Sequence, residues 1–187
     1  MEERTIPELL RPSHEKGAFF EHCKVCNREL IEAQNDYCIE KVVKKQGDPP
    51  VDNVLFEYAI CINCMNNLRN QMSAESQSAI MRYQIRKMAE SPWQSEEEVM
   101  NSFKDDRCLF SGKHRDEMQQ YTLVGYCRGK ELQADRPPAM LDHLFLEEIQ
   151  DLISDETRDE LDRFSGDNFG WPPEVARQLK NGDLVFL

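Results

Sequence analysis

No apolar run in this chain approaches the roughly 18 residues that span a bilayer. The opening stretch, MEERTIPELLRPSHEKGAFF, holds no apolar segment of the signal-peptide kind. A cytoplasmic protein is the expectation. Catalytic motifs are equally scarce: there is no Gly-rich phosphate loop, nucleophile elbow, His-Glu-x-x-His pair, Cys/His/Asn order or zinc-deaminase signature. His14 has no partner at readable spacing. The carboxylate pairs Glu147–Glu148, Asp155–Glu156 and Asp159–Glu160 sit at helix-surface spacing, which suits solvated acids better than a general acid/base couple. The sequence therefore predicts no enzyme.

Positive charge is short in one half only. Residues 1–94 hold 12 Lys and Arg against 14 Asp and Glu, whereas 95–187 hold 11 against 21, so most of the net charge of −12 lies in the second half. Between Asp142 and Asp167 ten acids meet only Arg158 and Arg163. Such a surface repels a phosphate backbone and favours solubility or a basic partner.

Cysteine is what the chain does have: seven residues, an odd number, with four of them in two Cys-x-x-Cys pairs. In a reducing compartment that pattern points to a metal before disulfides. Residues 1–18 are polar and carry Pro7, Pro12 and Gly17, which predicts a loosely held N-terminal arm. FFEHCKVCNREL then places Cys23 and Cys26 at knuckle spacing, with Asn27, tolerant of left-handed backbone, where the chain must turn back. DYCIEKVVKK and NVLFEYAI read as strands Tyr37–Lys44 and Asn53–Ile60, separated by the turn formers of KQGDPPVD. Cys61 and Cys64 open a helical stretch with Met65, Leu68 and Met72 at three- and four-residue steps. Ser73 caps a further helix through Ile80 and Tyr83. Two thiolates from a knuckle and two from a first helical turn make the four-ligand set of a structural zinc site. Cys38, mid-strand, is expected to be a lone buried thiol, and His22 is not needed as a ligand because four thiolates close the shell.

This order of knuckle, hairpin and helix over Phe19 to Met88 resembles the treble-clef zinc-binding fold, with Cys23, Cys26, Cys61 and Cys64 as the matching residues. The resemblance implies one structural zinc and leaves the activity open, since such modules bind nucleic acid or protein and rarely catalyse. The chain departs from the pattern at Asn27, where glycine is common.

The second half repeats the frame without the ligands. Setting Leu68 on Ile149 places Met72 on Ile153, Ser73 on Ser154, Glu75 on Glu156, Ile80 on Leu161 and Tyr83 on Phe164, with no gap. Upstream, CLFS (Cys108–Ser111) takes the slot of CKVC, YTLVGYC with KEL supplies a strand pair, and Tyr126–Cys127 echoes Tyr37–Cys38. Cys61 and Cys64 then fall on Asp142 and Phe145. Similarity at this period reads as duplication of a small domain. A copy without ligands must replace about 10 kcal/mol of metal-linked folding free energy by apolar packing. The expectation is an α+β chain of two treble-clef-like modules, the first zinc-stapled and the second a metal-free degenerate copy. Its predicted parts are the arm (1–18), the zinc module (19–90), a helical linker (91–107) with a Ser95/Glu98 capping box, and an acidic copy (108–187). That copy ends in a helix at Pro173–Lys180 and an apolar tail at Leu184–Leu187. A second zinc on Cys108, His114, Cys127 and His143 is a rival reading, with irregular spacing against it.

Two functional readings follow. An adaptor or regulatory scaffold needs exposed grooves and tolerates an acidic surface; its acidic helix face, Asp151, Asp155, Asp159 and Asp162, would attract a basic protein. A nucleic-acid-binding, transcription-associated protein would instead use Lys41, Lys44 and Lys45 with Arg82, Arg86 and Lys87. The overall charge favours the first.

Overall fold

The β-rich runs on either side of the KQGDPPVD turn form two long strands, β1 (Asp36–Gln46) and β2 (Val51–Cys61). They pair antiparallel from Tyr37↔Cys61 to Gln46↔Val51, with one irregularity between Val42 and Val43. A computed structural model describes residues 4–170 of the chain. Its architecture is α+β, a mixture of helices and one antiparallel sheet. Helices α1 (Ile62–Gln71) and α2 (Ala74–Ala89) follow β2, and a short α3 (Glu96–Asn101) leads to the second half. There, β3 (Gln120–Arg128), β4 (Glu131–Leu132), β5 (Ala139–Asp142), α4 (His143–Gln150) and α5 (Asp155–Phe169) follow.

The sheet joins the halves. β1 pairs antiparallel with β3 from Asp36↔Arg128 to Lys44↔Gln120, giving the order β2-β1-β3, with β4 and β5 both on the far edge of β3. β1 is thus central, and Tyr37–Val43 are all buried, as expected of a strand covered on both faces. On one face Tyr58 meets Phe169 of α5, with ring centroids 4.6 Å apart. On the other lies the N-terminal segment, which the sequence predicts to be loose. Instead Ile6 and Leu10 are fully buried, Ile6 donates to the Lys130 carbonyl at 3.1 Å, and Leu132 donates to that of Arg4 at 2.7 Å. The open sheet face needs an apolar cover, and Gly125 makes the room: a Cβ there would stand 2.6 Å from Leu10. The pairing of β1 with β3 likewise makes 19–90 and 108–170 parts of one sheet, where the sequence suggests separate modules.

Local predictions fare differently along the chain. Ser95 caps α3 and accepts from the Glu98 N–H at 3.2 Å, while the Glu98 carboxylate accepts from Gln94 N–H at 2.6 Å, one residue before the position a capping box requires. In the second half KEL contributes only the two-residue β4, and the longer partner of β3 is β5, whose register runs from Tyr121↔Asp142 to Val124↔Ala139. This register also corrects the echo of Tyr37–Cys38. Tyr37 stands opposite Cys61, so its counterpart is the residue opposite Asp142, which is Tyr121 and not Tyr126. Both tyrosines are almost wholly buried. The predicted helix Pro173–Lys180 and tail Leu184–Leu187 lie outside the described residues.

The helices meet at their caps. Ser73 accepts from the Ser76 N–H at 3.1 Å and Ser154 from the Thr157 N–H at 3.3 Å, so α2 and α5 begin alike. The two caps touch: Ser73 Oγ lies 3.0 Å from Ser154 Oγ, Ser73 N–H donates to Thr157 Oγ1 at 3.0 Å, and Ser154 N–H donates to Ser76 Oγ at 2.8 Å. Across this junction α2 packs on α4, through Tyr83 and Phe145 with centroids 5.1 Å apart, and α5 lies against α1.

Candidate metal centre

The knuckle is a tight backbone turn. Cys23 N–H donates to the Arg28 carbonyl at 2.8 Å and Asn27 N–H to that of Cys23 at 2.9 Å, while Asn27 takes the left-handed φ of 57° that its residue type tolerates. Lys24 N–H donates to the Ala59 carbonyl at 2.9 Å, fastening the turn to β2. Cys61 ends that strand and is the N-cap of α1, which sets Cys64 in the first helical turn.

These elements bring the four predicted ligands together: the sulfurs of Cys23, Cys26, Cys61 and Cys64 all lie within 4.8 Å of one another, with Cys26 Sγ 3.7 Å from Cys61 Sγ. A tetrahedral ion with bonds of about 2.3 Å to sulfur needs sulfur–sulfur edges of about 3.8 Å. The cluster therefore fits a metal ion. Cys61 N–H donates to Cys23 Sγ at 3.3 Å, the kind of outer contact that stabilises a ligating thiolate. At Cys26 burial raises the thiol pKa, but the Arg28 backbone N–H and hydrogen bonds with Cys64, Cys23 and Cys61 outweigh it and bring it down to about 7. Burial, then hydrogen bonds shared with Cys61 and Cys26, push the Cys64 thiol up. Four thiols this close can all lose their protons only when a cation offsets the like charges.

In the second half the same backbone recurs around different side chains. Cys108 N–H donates to the Lys113 carbonyl at 2.9 Å, Gly112 N–H to that of Cys108 at 3.0 Å, and Leu109 N–H to that of Met140 at 2.8 Å. Gly112 has φ 68° where Asn27 has 57°. Asp142 N–H donates to Cys108 Sγ at 3.3 Å, as Cys61 N–H does to Cys23. Asp142 caps α4 and binds the Lys113 ammonium at 2.9 Å, which holds the lysine pKa above its usual value. Phe145, at the place of Cys64, stacks on Phe110 with centroids 4.1 Å apart. Lys113 is a residue the sequence reading missed; its signal is that it stands where Arg28 stands, one past the left-handed residue.

The rival second site does not assemble. Cys108 faces Asp142, His114 caps the turn at Arg115–Glu117 by accepting from Asp116 N–H, Cys127 is buried on β3 opposite Tyr37, and His143 lies beside Gln120 and Glu147. Among the described residues the Cys23, Cys26, Cys61 and Cys64 group is the only one placed to share an ion. Cys38 is buried, as expected, and burial raises its pKa strongly.

Half of the predicted basic patch is paired with acids. Lys41 is buried and pairs with Glu57 at 3.1 Å, Lys45 lies 3.5 Å from both Asp52 and Asp116, and Lys87 binds Glu148 at 2.9 Å. Asp151, Asp155, Asp159 and Asp162 are all exposed. No helix among the described residues is long and apolar enough to cross a membrane. No family model, curated protein or solved structure matches this chain.

Proposed function

We propose that the chain is a non-enzymatic zinc protein acting as a protein-interaction adaptor or regulatory scaffold. It is built of two treble-clef-like modules, of which 19–90 holds one structural zinc through Cys23, Cys26, Cys61 and Cys64. The segment 108–187 is a degenerate copy without metal, joined through 91–107. The observation that carries this reading is the convergence of four sulfurs within 4.8 Å of one another, a set that would supply all four ligands of a tetrahedral ion. A thiolate-only set suits zinc, and where such a site is closed its contribution is to folding. The matched hydrogen bonds around Cys23 and Cys108, and around Ser73 and Ser154, support descent of both halves from one module.

A protein partner is favoured over nucleic acid by charge. The acids of α5 stand exposed at Asp155, Asp159 and Asp162, while Lys41, Lys45 and Lys87 are already paired, which leaves Lys44, Arg82 and Arg86 of the basic patch for phosphates. Affinity-tagged protein recovered from its native cell at low and high salt, with protein and nucleic acid both identified, tests this. A protein released by salt and lost on reversing Asp155 and Asp159 to Lys is the expected result. Nuclease-sensitive nucleic acid, lost on Lys44→Glu and Arg86→Glu, would overturn it in favour of the nucleic-acid reading. Turnover of a small molecule by zinc-loaded protein would overturn both.

A further inference from the structure

Helix α2 buries Tyr83 and Ser76 on its inner face and leaves an apolar stripe outside. Met81, Ile85 and Met88, at i, i+4 and i+7, are 56%, 64% and 37% exposed, the largest such cluster on one element among the described residues. Beside Met81 a groove of about 440 Å³ opens, floored by Met72 and Ile80 and edged by Arg69, Gln77 and Gln84. Isolated exposed apolar residues are ordinary; a stripe continuous with a groove marks an interaction surface.

Charge says what covers it. Arg82 and Arg86 lie along one flank of the stripe and Arg69 stands at the groove, all exposed. Among the described residues none of the three lies within ion-pair distance of a carboxylate, although the chain has 35 acids to 23 Lys and Arg; Arg86 overlies the Tyr83 ring at 5.3 Å and acts on Glu148 only at longer range. Glu75, a turn or more before Arg82, and Glu90, one turn after Arg86, are the acids on that flank, and among the described residues neither is within ion-pair distance of an arginine. A second copy laid stripe to stripe would set Arg82 and Arg86 against their own kind and Lys87, which is repulsive. The acidic α5 of a second copy offers no large exposed apolar residue to fill the groove, and a head-to-tail contact of that kind does not close. An anionic bilayer suits a basic amphipathic helix, but a net charge of −12 opposes approach to it. Three exposed arginines around an apolar stripe are complementary to a helix that brings its own carboxylates.

We propose that this face of α2 docks an amphipathic helix of another protein, its apolar stripe seated on Met81, Ile85 and Met88 and its flanking carboxylates on Arg69, Arg82 and Arg86. The proposal rests on the adaptor reading and names a second surface and the chemistry of its partner.

A displayed library of random peptides of about 20 residues, long enough for an amphipathic helix in a groove, is selected on the full zinc-loaded chain and counter-selected on Met81→Gln/Ile85→Gln. Both positions are exposed, so that variant should keep its metal content and melting temperature. Enrichment of peptides with apolar residues at i, i+3 or i+4 and i+7 among acids is expected. The consensus peptide should bind at least about tenfold more weakly to Arg82→Glu/Arg86→Glu, a loss of one factor of ten per 1.4 kcal/mol, and exchanging its acids for Lys should restore binding to that variant. Enrichment without acids, or none beyond counter-selection, overturns the proposal. So does a concentration-dependent dimer, or co-sedimentation with phosphatidylserine-containing vesicles, that Met81→Gln/Ile85→Gln abolishes. If the salt-sensitive partner of α5 is found and no peptide depends on α2, the adaptor reading stands and this inference alone falls.

Discussion

The turn at Cys23–Arg28 and the turn at Cys108–Lys113 have the same hydrogen bonds and differ in what closes them. On one side four sulfurs converge at metal-ligand distance. On the other, an ammonium stands on Asp142 and the Phe110, Phe145 and Tyr83 rings fill the remaining space. An ion on the four sulfurs would do two separable jobs, supplying positive charge and tying four chain positions together; at the matching place in the second half Lys113 supplies a positive charge, and one ion pair with packed rings joins the chain. The second helix is also the better packed: α4 buries Phe145, Leu146 and Ile149, whereas α1 buries Met65 and Leu68.

The comparison breaks most visibly if the metal is removed. Chelation, or Cys61→Ser, withdraws up to about 10 kcal/mol of metal-linked folding free energy. Because β1 lies between β2 and β3, far-UV circular dichroism should fall across the whole chain in one transition. Survival of a separately melting acidic half would show that the shared sheet is not cooperative. On the packed side, Phe145→Ala should cost about 3–5 kcal/mol in denaturant unfolding while metal content stays unchanged. Asp142→Ala removes a helix cap and the partner of Lys113; the loss of the cap is about 1 kcal/mol. A smaller midpoint shift than that of Phe145→Ala would rank rings above charge as the replacement for the ion. Ser154→Ala should cost about the same single cap, and because its hydroxyl also meets Ser73, the double variant with Ser73→Ala should cost less than the sum of the two.

Acid should act at two carboxylates of the sheet away from the cysteines. At Glu57 burial raises the pKa, but the Ser13 hydroxyl and N–H, then Lys41, outweigh it and hold the carboxyl below its usual range. The Arg128 guanidinium lowers that of Asp36 against a smaller opposing effect of burial. A folded-state pKa below the unfolded one means these carboxylates add stability above about pH 4 that is lost as pH falls through their folded values. Glu57→Gln should therefore lower the melting temperature at neutral pH and make no difference in strong acid.

What the sequence discloses is local. Paired cysteines at x-x spacing, an Asn able to turn left-handed and serines ahead of apolar periodicity are signals within a few residues of the structure they specify, and the four sulfurs and both serine caps lie where those signals place them. The joining of β1 to β3 rests on residues far apart in the chain, with no local mark in either strand. The N-terminal cover was illegible because Ile6 and Leu10 stand among prolines and charges; only Gly125, distant in sequence, explains them. β5 was missed because four residues after two prolines carry too little alternation to read, and the false echo at Tyr126–Cys127 drew the register away from Tyr121.

Elemental analysis of freshly purified, unchelated protein, with X-ray absorption at the metal edge, tests the central claim most directly. The account predicts one zinc per chain, bound by four sulfurs at about 2.3 Å, and two per chain once Ser111→Cys, Asp142→Cys and Phe145→Cys restore the missing ligands beside Cys108. No metal in the native chain, or a shell containing nitrogen or oxygen, would contradict it.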